Sequence, residues 1–100
     1  MSVPAQSRAE VLNRITLHHS ELAALGVAAL WLVGSAARDE LRPDSDVDVL
    51  VELARPLGLE FIEIGLCLEE WLGRPVDVGT PAGLHERARE RVQREAIRAA

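Results

Sequence analysis

The stretch GSAARDELRPDSDVDVLV, residues 34–51, sets a Gly-Ser pair ten residues ahead of two aspartates, Asp46 and Asp48, that run into an apolar segment. The alternation in DVDVLVEL predicts a strand, with Val47, Val49, Val51 and Leu53 on one face and Asp46, Asp48, Leu50 and Glu52 on the other. Two carboxylates leaving one strand face about 6–7 Å apart at their backbones can converge on a single ion. Hard oxygen ligands of this kind suit Mg²⁺ or Mn²⁺ rather than a soft metal. The plainer alternative is an edge strand whose polar face meets water. An EF-hand loop starting at Asp44 fails on spacing, because its glycine position is Val49 and its bidentate glutamate position is Arg55.

Outward from this stretch, the pattern alternates helix and strand. Apolar residues at helical spacing (Val11, Ile15, His18, Leu22, Leu25) predict an amphipathic helix over 7–25, ended by Gly26. The run VAALWLV, 27–33, predicts a strand covered on both faces. A short helix over 35–41 precedes the turn-formers Pro43, Asp44 and Ser45. After the DVD strand come a helix over 57–72, with Phe61, Ile64, Leu68, Trp71 and Leu72 buried, and a short strand at 76–78. A last helix is expected over 81–98, with Leu84, Ala88, Val92 and Ala96 at four-residue spacing. No repeat or linker interrupts the order, so residues 1–100 are expected to form one α/β domain.

Composition narrows the chemistry. All 11 basic residues are arginines, which excludes a Walker A lysine and the protein-kinase constellation, so any phosphate must be held by arginine, backbone N–H groups, hydroxyls or metal. A formal charge of −5 argues against broad nucleic-acid binding. Cys67 is the only cysteine, which rules out an intrachain disulfide and leaves a core thiol as its simplest reading. No apolar run is long enough to span a bilayer and no secretory signal is visible, so no membrane association and a cytoplasmic location are expected. One hundred residues leave little room for a separate substrate-binding domain, so an acceptor would bring its own surface.

Gly34 and Ser35 sit where a strand gives way to a helix. That is the place for an ordinary helix cap, and equally for a phosphate to approach the backbone and exposed N–H groups. Asp77, in PVDVG, is either a polar residue on an edge strand or a third carboxylate facing the same cleft. Three carboxylates around one cleft can hold two metal ions.

Gly34-Ser35, ten residues, then Asp46-x-Asp48 resembles the signature of the DNA polymerase β nucleotidyltransferase superfamily. More narrowly, LWLVGSAARDELRPDSDVDVLVEL is similar to the minimal nucleotidyltransferases, the MntA-like antitoxins of HEPN/MNT toxin–antitoxin pairs. The resemblance implies a polymerase β-type α/β (α+β) fold, a small mixed sheet of three to four strands flanked by helices. It implies that Asp46, Asp48 and Asp77 are catalytic and hold two Mg²⁺ ions, with Mn²⁺ as substitute. Gly34, Ser35 and Arg38 would bind the nucleotide, although Arg38 also reads as a surface arginine paired with Asp39 or Glu40. The implied activity is protein adenylylation, AMP passing from ATP to a tyrosine of a partner HEPN ribonuclease toxin. The partnership implies a hetero-complex or a homo-oligomer. The family commonly has glycine after this arginine, where this chain has Asp39. That departure keeps a second reading open, an antitoxin with weak or no catalysis that neutralises its toxin by binding.

Other features read more plainly. His18 and His19 lack partners at metal-ligand spacing, and Trp31 and Trp71 read as core residues. The arginines of the last helix alternate with Glu86, Glu90 and Glu95, which suits a solvated face or a docking surface for an acidic partner.

Overall fold

The computed structural model describes residues 2–100. Helix α1 (Arg8–Leu17) starts at Ser7, whose hydroxyl accepts from the Glu10 amide. It is followed by α2 (His19–Ala24), strand β1 (Val27–Val33), the four-residue helix α3 (Gly34–Ala37), β2 (Val47–Leu53), α4 (Leu59–Leu72) and β3 (Val76–Gly79). A 3₁₀ turn at Pro81–Gly83 leads to α5 (Glu86–Glu95) and the two-residue strand β4 (Ile97–Arg98). The sheet is mixed, in the order β3-β2-β1-β4, with β1 antiparallel to both β2 and β4 and β2 parallel to β3.

Register decides which residues share a face. Leu32 pairs with Val49, and Val49 with Val78, while Leu30 pairs with Val51. These side chains face the helices and meet Val11, Ile15, Leu22, Ile64, Leu68 and Leu72, all buried in one core. The alternate set is Val33–Asp48–Asp77 and, two residues along, Trp31–Leu50–Gly79. The expectation that β1 is covered on both faces is therefore corrected: Leu30 and Leu32 are buried, but Trp31 and Val33 are only half-buried on the open side.

Three other expectations shift. The first helix breaks at His18, where the Thr16 hydroxyl has bonded back to the Leu12 carbonyl and the His18 amide takes Ile15 rather than a carbonyl four residues back. The His18 ring stacks on Trp71 at 4.0 Å, and both lie at the edge of the core. Cys67 is half-buried rather than a core thiol. The last helix stops at Glu95 because Ala96 turns extended and Ile97–Arg98 pair with Leu32 and Trp31 of β1.

Candidate functional site

The site begins where β1 ends. Gly34 adopts a left-handed conformation (φ 64°), and a Cβ built there would lie 2.7 Å from Asp48 Oδ2. Only glycine satisfies both the backbone and the carboxylate pressed against it. Ala36 and Ala37 anchor the short helix in the core, leaving Ser35 half-buried in its first turn.

The helix then stops in a Schellman arrangement. The Glu40 amide donates to the Ser35 carbonyl (2.8 Å) and the Asp39 amide to Ala36 (3.2 Å). Asp39 is the left-handed residue this motif requires, at φ 59°, and its Oδ1 accepts from the Arg8 amide at the start of α1 (2.8 Å). The aspartate thus takes the conformation that glycine provides most cheaply, and its charge is occupied at a helix N-terminus. Asp46 lies in the loop just before β2 rather than within the strand. That loop is fixed by Arg74, the one charged side chain among the described residues that is buried. Its guanidinium donates to the carbonyls of Arg42 (2.7 Å), Ser45 (3.0 Å) and Ala5. Beside it, the Pro75 carbonyl accepts from the Val47 amide (2.9 Å).

The acids are within electrostatic reach of one another. Burial pushes the Asp48 carboxyl above its ordinary value, the charges of Asp77 and Asp46 push it further, and Arg38 pulls it down. Asp48 and Asp77 are direct neighbours across the β2–β3 pairing. Asp46 and Asp77 are exposed, and no three His, Cys, Asp or Glu side chains close into a preformed metal cage among the described residues. The donor set nevertheless fits a divalent ion: hard carboxylate oxygens whose mutual repulsion a cation would relieve, beside a glycine whose missing Cβ lets Asp48 lie against the end of β1.

Arg38 is exposed and doubly paired, its Nε 3.4 Å from Glu40 Oε2 and its Nη1 3.3 Å from Glu95 Oε2. The hydrogen bond to Glu40 is the main cause of its raised pKa. The structure thus brings Gly34, Asp48, Asp77 and Asp46 together and holds Arg38 beside them in acidic company. Sequence reasoning missed Arg74, whose burial depends on carbonyls 29 to 69 residues away. It also missed that Trp31 lines the open face, which a continuous apolar run does not reveal.

Comparison with known proteins follows the same outline. The family described as Nucleotidyltransferase domain matches residues 15–99. The protein adenylyltransferase MntA of Thermococcus cleftensis is 37% identical over 90 residues, covering 88% of this chain and 91% of that protein. A solved structure given as a candidate minimal nucleotidyltransferase superposes with a TM-score of 0.78 at 37% identity, over 90% of this chain and 93% of that one. The Shewanella oneidensis complex of tri-AMPylated HEPN toxin with MNT antitoxin shares the fold alone, with a TM-score of 0.56 at 17% identity over 86% of this chain and 71% of that one.

Proposed function

The chain belongs to the nucleotidyltransferase domain family and is a nucleotidyltransferase, and on that premise we propose that it transfers AMP from ATP to a tyrosine of a partner HEPN-type toxin, which it thereby neutralises. The observation that carries the reading is the contact between Gly34 and Asp48: a glycine whose missing Cβ opens a cradle directly against a carboxylate paired with Asp77. Gly34 and Ser35 receive the β- and γ-phosphates, and Arg38 adds a charge-assisted contact once it turns from Glu40 and Glu95. Asp46, Asp48 and Asp77 are the residues that would hold Mg²⁺. When bound, the metal supplies charge neutralisation at the phosphates and Lewis acidity at the reacting phosphorus. Asp77 also takes the proton of the acceptor hydroxyl. The relatives' activity, and the modified toxin seen with an antitoxin of this fold, support the choice of AMP and of a HEPN partner.

Asp39 lends no support to a purely binding antitoxin, because its charge is engaged by the Arg8 amide. The test is co-expression with the partner toxin and intact-mass measurement of that toxin. A gain of AMP units, lost when Asp46→Asn and Asp48→Asn are combined, is expected. An unmodified yet inhibited partner would return the assignment to binding alone.

A further inference from the structure

On the open face of the sheet, two residues further from Gly34 than the Asp48–Asp77 pair, lies a groove of about 560 Å³. Trp31 and Leu50 form its floor, Leu84 lies at one side, and Arg89, Val92 and Gln93 of α5 form its wall. We propose that this groove is the acceptor site and that it seats the aromatic side chain of a tyrosine with acidic neighbours, presented by the partner protein. The proposal rests on the nucleotidyltransferase reading above.

The direction of the reaction selects this occupant. The tyrosyl oxygen attacks the α-phosphorus of ATP and forms the new P–O bond. The bond from that phosphorus to the bridging oxygen breaks, pyrophosphate leaves with the electron pair, and the phenolic proton passes to Asp77. Attacking and leaving oxygens lie in line, on opposite sides of the phosphorus. The phosphate cradle at Gly34-Ser35 is on one side of the carboxylates and the groove is on the other, so the leaving group occupies the first and the nucleophile arrives through the second. A planar ring suits a slot floored by a half-buried indole and a buried leucine. The charge also fits. In a chain of net charge −5, the groove wall presents Arg89, and the Arg98 guanidinium carbon lies 5.6 Å from the Trp31 ring centroid. These cations face the acidic neighbours of the tyrosine.

The test uses the full chain carrying Trp71→Phe, so that Trp31 is the only tryptophan. Two probes are added separately: a blocked pentapeptide with one tyrosine between aspartates, and Mg-ATP. Saturable quenching of Trp31 by the peptide is expected, weakened at least about tenfold by Val92→Glu. Ala82→Phe, at an exposed rim position, should block the groove equally without disturbing packing or adding a second tryptophan. Affinity for a fluorescent ATP analogue should stay within about twofold in both variants. Absence of saturable peptide quenching at millimolar concentration would overturn the proposal. So would a loss of ATP affinity in the groove variants with peptide binding unchanged, which would assign the groove to the nucleobase. Transfer of label from α-labelled ATP to the peptide is followed in parallel. Intact, groove-dependent peptide binding with no labelling of either peptide or partner would overturn the adenylyltransferase reading and leave the groove as a tyrosine-binding site.

Discussion

At the scale of single residues, conformation explains more than charge. Asp39 occupies a left-handed position that costs a non-glycine residue about 1–2 kcal/mol, and its hydrogen bond to the Arg8 amide offsets part of this. Asp39→Ala keeps the strain and loses the bond, so urea unfolding should show a loss of about 1 kcal/mol, whereas Asp39→Gly should be near neutral. Neither change should alter nucleotide transfer. Asp48 carries the opposite burden. Its folded pKa is raised above the unfolded value, so between the two the native state binds the extra proton and stability falls as pH rises through that window. Without divalent metal, Asp48→Asn should raise the melting temperature at pH 7 by a few degrees. The gain should shrink as pH drops through the raised pKa towards the unfolded one, which a melting series across pH will show.

At the scale of elements, strands and caps were legible where the pattern was local. The run 27–33 and the helix ending at Gly73 follow from spacing and from the glycine that stops each, and the DVD strand follows from its alternation. The failures came from tertiary pairing. Ala96 continues a four-residue apolar period, yet Ile97–Arg98 leave the helix because β1 offers unpaired backbone groups there. A two-residue strand carries no periodicity of its own. The loop before Asp46 likewise has its shape set from a distance, by Arg74. Arg74→Met would strand the carbonyls of Arg42, Ser45 and Ala5, with an expected loss of about 2–4 kcal/mol in chemical denaturation. Transfer should fall further than the folded fraction does, since the loop bearing Asp46 loses its anchor.

At the scale of the whole molecule, the sheet is lopsided. Helices seal one face into the core, and the other presents the acids beside a groove. The Gly-Ser and Asp-x-Asp signature was readable because it lies within one stretch of 18 residues. The juxtaposition of Asp48 with Asp77 was readable only as one of two alternatives, because the parallel pairing of β2 and β3 that fixes it spans a whole intervening helix. No helix among the described residues is long and apolar enough to cross a membrane.

The ion pair between Arg38 and Glu95 joins the Gly34–Ser35 end of this face to the last residue of α5, the wall of the groove. A triphosphate that recruits Arg38 must take it from Glu95, so nucleotide arrival slackens the element that flanks the second substrate. Acceptor binding should then tighten when nucleotide is present: Trp31 quenching should give a lower peptide Kd with a non-hydrolysable ATP analogue in the native chain, and an unchanged one in Glu95→Gln, where Arg38 keeps only its pair with Glu40.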